Sequence, residues 1–232
     1  MAYVIPTPPV HALPVVGTGD LFPVRRVYCV GRNYAAHARE MGGDPTREPP
    51  FFFMKPADAL QVVTDGQTVD HPYPPKTQNY HFEIELVVTL AKGGKDIPVA
   101  EALDHVFGYA IGLDMTRRDL QDDAKQLRRP WELGKAGDYS GPVGPIHPAS
   151  KVGHPHKGVI SLSIDGTMKQ KADLSDMIWS VAEQISYLSS YFELAPGDVI
   201  FAGTPEGVGA VTQGQTMVGA IEGLGEISLR VV

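Results

Sequence analysis

Residues 81 to 88 read HFEIELVV, which puts His81, Glu83 and Glu85 at alternate positions of an otherwise apolar run. Side chains alternate across a strand, so these three share one face while Phe82, Ile84 and Leu86 share the other. Two carboxylates at that spacing repel each other unless water screens them or a cation sits between them. A half-exposed antiparallel strand with a wet, Glu-bearing face gives the same pattern. The pattern becomes chemistry only with a third oxygen donor and a use for a cation.

A third carboxylate stands at Asp114, where the apolar run VFGYAIGLD ends just before TRRDLQDDAKQL. An Asp there can cap the helix that follows. It can equally meet Glu83 and Glu85 in a cavity, and three hard oxygen donors suit Mg2+ or Mn2+ rather than zinc. Downstream, RRPWELGKAGDYSGPVGP holds Lys135 close to Gly134 and Gly137 in a proline-studded loop. A loop lysine is usually solvated. Beside three carboxylates it is instead an electrostatic partner and a donor to a developing oxyanion.

Two further stretches offer polar groups. In GTPEGVGAV, the Thr204 hydroxyl and nearby backbone N–H groups can hold a carboxylate or simply form a Gly-rich corner. AAHAREM spaces His37 and Glu40 by three, on one face of a helical turn. Glu40 accepting from one imidazole nitrogen raises the basicity of the other and makes an oriented general base for water. A surface His beside an ordinary Glu is the plain alternative.

These residues need elements to place them. Twenty-five glycines and twenty prolines break the chain into short apolar runs, which predicts many strands joined by turns. Strands are expected over 25–31, 50–55, 82–90, 106–114, 158–165, 198–203 and 225–232. Asp165-Gly166 has the residue types of a tight hairpin turn, and residues 64–67 are a second turn candidate. Helices are predicted over 116–127, with Thr116 and Asp119 as a weak capping box, over 175–192, and more briefly over 98–106. The fold class is α+β, mainly β with a few covering helices. Residues 1–24 read as an extended Pro-rich arm and residues 25–232 as a single domain without a linker.

The bulk numbers bound the answer. With 232 residues, 43% of them hydrophobic, the chain can bury one sizeable core. A net charge of −7 argues against a nucleic-acid groove, while local Arg and Lys still permit a small anionic substrate. Cys29 is the only cysteine, so no disulfide framework or Cys-rich zinc site forms, which suits a reducing cytoplasm. No run of eighteen apolar residues predicts a membrane span, and the first residues lack the basic region of a signal peptide.

Four stretches, taken in order and spacing, resemble one family. They are VGRNYAAHAREM (30–41), HFEIEL (81–86), IGLDMTRRDLQ (111–121) with PWELGKAGD (130–138), and FAGTPEGVG (201–209). Together they look like the fumarylacetoacetate hydrolase family over nearly the whole chain. The resemblance implies a mixed β-sandwich roll, usually a homodimer, with Mg2+ or Mn2+ held by Glu83, Glu85 and Asp114. It implies catalytic roles for Lys135 and for His37 and Glu40, a water-activating pair in acylpyruvate-cleaving members. Substrate contacts fall on Thr204 and Gln121, with Arg32 or Lys55 anchoring a second carboxylate, for which Arg is the better fork. Ala136 departs from the serine frequent after this lysine, which alters a neighbouring hydrogen bond and leaves Lys135 intact.

The implied reaction is hydrolysis of a carbon–carbon bond in a 3-acylpyruvate. Fumarylpyruvate, the diketone of gentisate breakdown, would give fumarate and pyruvate. The ion acts as a Lewis acid and Lys135 adds positive charge as the pyruvate enolate leaves. Oxaloacetate decarboxylation or isomerisation of an unsaturated 2-oxo diacid shares this chemistry without a water nucleophile. A non-catalytic binding protein would have lost a ligand or the lysine, yet all of these residues are present.

Overall fold

The computed structural model describes residues 3–40 and 48–232, with the backbone alone for residues 38–40. Two large sheets face each other across one core. The first orders Phe51–Lys55, Val27–Gly31, Val199–Phe201, Ile84–Leu90, Val106–Leu113, Gly141–Val143 and Leu60–Val62, with His147–Pro148 added beside Val106–Leu113. The second orders Thr167–Asp173, Val159–Ile164, Thr216–Ile221, Gly225–Val231 and Thr68–His71. Parallel and antiparallel neighbours mix in both sheets. The mainly β, α+β architecture expected from the glycine and proline punctuation is borne out.

Strand Ile84–Leu90 is buried along its whole length, so the half-exposed alternative for HFEIELVV does not hold. Ile84, Leu86 and Val88 enter the core shared with Ile160, Leu162 and Leu229 of the second sheet. Val87 points the other way, into a core with Val27, Ala110 and Phe201. A strand buried on both faces has no wet side on which to lose a glutamate, so Glu85 needs partners.

The expected strand over 82–90 is interrupted at Glu83. Tyr80–Phe82 pairs instead with Thr116–Arg117 and Gly209–Ala210 in a small third sheet. Thr116 therefore lies in a strand, its hydroxyl donating to the Asp114 carbonyl at 3.0 Å. Asp119 is engaged by the Thr77 hydroxyl and the Gln78 N–H, at 2.6 and 2.9 Å. The expected capping box of Thr116 and Asp119 does not form, and helix Arg118–Gln126 begins two residues later than predicted.

The expected helix over 175–192 also starts late, as Val181–Tyr191. Ser180 and Glu183 form a reciprocal capping box there. The preceding residues are held by Asn33, whose amide exchanges hydrogen bonds with both the N–H and the carbonyl of Trp179. The short helix expected over 98–106 is a 3-10 helix, Val99–His105. Asp165-Gly166 turns the hairpin as expected, both residues at positive φ. The turn at 64–67 joins strands that enter different sheets, so it makes no hairpin.

Within the first 24 residues, residues 3–10 are exposed. Ala12–Pro14 and Leu21–Pro23 pair as a hairpin whose Leu13 and Phe22 are buried with Val27 and Phe201. That hairpin is part of the core rather than an extended arm. No helix of the described residues is long and apolar enough to cross a membrane.

Candidate active site

The antiparallel register brings the three carboxylates together. Ile84 pairs with Leu113, which leaves Glu83 opposite Asp114 one step beyond, and the Asp114 N–H donates to the Glu83 carbonyl at 2.8 Å. Glu85 lies two residues along the same strand face as Glu83. Oxygens of Glu83, Glu85 and Asp114 all lie within 4.8 Å of one another, and all three residues are buried.

Cations surround two of the three. Lys135 Nζ donates to Glu83 Oε2 at 2.8 Å and to Asp114 Oδ2 at 2.6 Å. Lys135 ends a short helical turn, Glu132–Lys135, rather than sitting in an open loop, and it is 2% exposed. Arg118 forms an ion pair with the other oxygen of Glu83. Burial acts to raise the Glu83 pKa, but Lys135 and Arg118 outweigh it and hold the group ionised. Burial likewise opposes the charge on Lys135, and Asp114 and Glu83 more than restore it.

Glu85 is different. Among the described residues its Oε2 accepts from the Gly203 N–H, at 2.7 Å. Burial, reinforced by the charges of Asp114 and Glu83, pushes its pKa well above the usual carboxylate range. Among the described residues Asp114 Oδ1, also buried, accepts no hydrogen bond. Lys55 Nζ stands 2.8 Å from that oxygen, close enough for charge attraction but out of line for a hydrogen bond. An under-compensated carboxylate beside a carboxylate oxygen that accepts no hydrogen bond is what a hard divalent cation satisfies. The donor set fits Mg2+ or Mn2+, with Glu83, Glu85 and Asp114 as the residues that can hold it.

A cleft opens over this floor. Of the residues singled out from sequence, His37, Arg32, Gln121 and Thr204 line it together with the three carboxylates and Lys135. Arg32 follows strand Val27–Gly31 at φ 56°, a left-handed conformation uncommon for a side-chain-bearing residue. Its guanidinium lies 5.8 Å from the centre of the Phe51 ring. That ring occupies space a side chain on Gly31 would need, since a Cβ there would fall 2.1 Å from it.

One expectation comes out otherwise, and one falls outside the described residues. Lys55 does not line the cleft: it is 1% exposed and bonded to Ser140 Oγ and the Lys135 carbonyl, behind Asp114. As the last residue of strand Phe51–Lys55, paired with Val27, it points into the interior. It secures the site from behind and cannot anchor a substrate. Glu40 ends helix Ala35–Glu40, but its side chain lies outside the described residues, so the pairing with His37 does too.

Several lining residues were not read from the sequence. Arg118 opens helix Arg118–Gln126 and bridges Glu83 to Gln121 Oε1, the latter at 2.6 Å, with His81 Nδ1 3.3 Å from its Nε. Burial and Arg118 lower the His81 pKa to about 4, and the neutral ring accepts from Arg118 at Nδ1 and donates to Asn79 Oδ1 from Nε2, so both nitrogens are engaged and His81 supports the site. At the mouth, Lys125 lies 5.6 Å from the Trp131 ring centre, and Trp131 meets Phe51 edge-on at 5.6 Å. The available signal was the helical period: Arg118, Gln121 and Lys125 recur at three and four residues and so share one helix face.

Residues 26–232 match the family described as fumarylacetoacetate (FAA) hydrolase, C-terminal. A fumarylpyruvate hydrolase of a Ralstonia species is 44% identical over 81% of this chain and 95% of its own length. A mitochondrial oxaloacetate tautomerase of Homo sapiens is 40% identical over 89% of this chain and 91% of its own. The crystal structure of fumarylpyruvate hydrolase from Pseudomonas aeruginosa, in complex with Mn2+ and pyruvate, is 60% identical. It superposes with a TM-score of 0.98, covering 100% of this chain and 99% of that one.

Proposed function

This chain belongs to the fumarylacetoacetate hydrolase family, and from that premise we propose that it hydrolyses the carbon–carbon bond of a 3-acylpyruvate, fumarylpyruvate first among them. The observation that carries the reading is Glu85, buried among carboxylates with less cationic compensation than its neighbours, in a cleft whose mouth holds Arg32 and Lys125. A divalent ion bound by Glu83, Glu85 and Asp114 supplies Lewis-acid stabilisation to an enolate oxygen. Lys135 adds fixed positive charge at the same end, at no reorganisation cost, because Glu83 and Asp114 already hold it. His37, 5% exposed in the cleft wall, accepts the proton of the attacking water, and the resemblance gives Glu40 as its partner in that role. Water adds to the acyl carbonyl, the bond to C3 breaks, and its electron pair leaves with the pyruvate enolate. The proton taken by His37 then passes to C3 and completes pyruvate, and the acyl half departs as fumarate.

Arg32, with Lys125 beside it, takes the distal carboxylate, while Phe51 and Trp131 flank the unsaturated chain. The Pseudomonas aeruginosa complex supports the ion and the pyruvate half, and the Ralstonia relative supports the acyl half. The homodimer implied by the resemblance belongs to this reading. The oxaloacetate tautomerase relatives favour a second one, in which the same ion and enolate chemistry acts on oxaloacetate without cleavage.

The test follows the diketone-enol absorbance of fumarylpyruvate with Mn2+ or Mg2+ and with chelator, beside acetylpyruvate and oxaloacetate. Metal-dependent loss yielding fumarate and pyruvate is expected. Arg32→Met should raise KM for fumarylpyruvate about tenfold and leave acetylpyruvate within about twofold. Turnover of oxaloacetate with both diketones intact would move the assignment to the second reading.

A further inference from the structure

Gln170 lies in strand Thr167–Asp173 of the second sheet and is 0% exposed, yet it makes three hydrogen bonds toward the cleft. Its Oε1 accepts from the Ile84 N–H at 3.0 Å, between Glu83 and Glu85 in the chain. Its Nε2 donates to Thr204 Oγ1 at 2.9 Å and to the Pro205 carbonyl at 2.8 Å. The orientation of this amide is fixed chemically: a backbone N–H only donates and a backbone carbonyl only accepts, so the two ends cannot exchange. Both protons of the NH2 group are therefore committed, one of them to Thr204.

The consequence falls on the threonine. A hydroxyl has one proton and two lone pairs. With one lone pair taken by Gln170, the Thr204 proton must point elsewhere, and Thr204 lines the cleft. Among the described residues Thr204 Oγ1 donates to none. The turn cannot easily swing away, because it rests directly on the Gln170 strand. A Cβ on Gly207, at φ 88°, would fall 2.2 Å from the Lys169 carbonyl oxygen. On the other side, a Cβ on Gly203 would fall 2.5 Å from that of Asn33.

We propose that Gln170 is a positioning residue that sets the direction of the Thr204 hydroxyl, presenting it as a hydrogen-bond donor to an oxygen of the bound 2-oxo acid. The identity of that ligand rests on the function proposed above, while the polarity of Thr204 rests on Gln170. A buried amide at this strand position costs desolvation that an apolar residue would avoid, and the orientation of Thr204 is the return for it.

Pyruvate binding to the Mn2+-loaded protein tests this through a double-mutant cycle. Thr204→Val and Gln170→Met should each weaken pyruvate, Thr204→Val by about tenfold and Gln170→Met by about three- to tenfold. In the Thr204→Val background, Gln170→Met should change the affinity less than about twofold, because the hydroxyl it orients is gone. Gln170→Glu, which replaces the donating end by an acceptor, serves in its place if the methionine variant does not fold. An equal loss in both backgrounds would give Gln170 a merely structural role, and no loss in either would remove it from the site. Wild-type protein that fails to bind pyruvate would also overturn the donor role. Intact pyruvate binding with the expected cycle, but no cleavage of fumarylpyruvate, would leave Gln170 in place and discard the hydrolase reading alone.

Discussion

Tyr80 and Glu83 are three residues apart, yet they belong to two buried polar networks of opposite kind. The first is neutral. His71 Nδ1 donates to Gln61 Oε1 at 2.7 Å, and its Nε2 accepts from the Tyr80 hydroxyl at 2.9 Å. Burial lowers the His71 pKa to about 4, and both ring nitrogens are satisfied. The second is ionic: Glu83, Glu85 and Asp114 against Lys135, Lys55 and Arg118, with Asp114 Oδ1 facing Lys55 without a hydrogen bond and Glu85 poorly compensated. The satisfied network ties strand Thr68–His71 of the second sheet to strand Tyr80–Phe82 of the third. The unsatisfied one has capacity in reserve, and capacity in reserve is what a ligand uses.

The comparison breaks most clearly at Glu85. Glu85→Ala should lower activity on the order of 10³-fold and abolish the rise in melting temperature that Mn2+ gives the wild type. An unchanged Mn2+ response would mean that the ion sits elsewhere. Lys135→Met sharpens it. Removing one partner of a buried ion pair should cost about 3–5 kcal/mol in denaturant titrations of the metal-free protein. Mn2+ should restore more stability to this variant than it adds to the wild type, because it replaces lost positive charge. An equal gain in both would show that Lys135 and the ion do not share the carboxylates.

The smallest effect tests the neutral network. The His71 pKa lies below its unfolded value near 6.5, so the unfolded chain binds the extra proton first. The stability it contributes is complete above pH 6.5 and is lost as the pH falls toward 4, by up to about 3 kcal/mol. A melting-temperature profile of His71→Asn should be flatter than wild type across that window. Identical slopes would move the acid sensitivity to the ionic network.

The carboxylates were legible in HFEIELVV and at Asp114 because strand alternation carries over from sequence to structure. The break at Glu83 was not, since it arises from pairing with Thr116–Arg117 and Gly209–Ala210, far away in the chain. Lys55 looked like a mouth cation because FFFMK gives no sign of which end of the strand faces the cleft. Arg118 was hidden in TRRDL, where either arginine could have been the solvated one, and burial alone separates them. Gln170 left no trace in TMKQK, for its partners Ile84 and Thr204 are set by how two sheets stack.

The parallel pairing of Val27–Gly31 with Val199–Phe201 has a consequence for how the molecule is made. During synthesis the early strand emerges with one edge open and cannot close it until residues 199–201 have left the ribosome. Closing such a long stretch of chain is slow beside the formation of a hairpin or a helical turn. Thr204 and the Gly203 N–H that holds Glu85 arrive with that same strand, so the nascent chain completes its sheet and its ion-binding floor in a single late event.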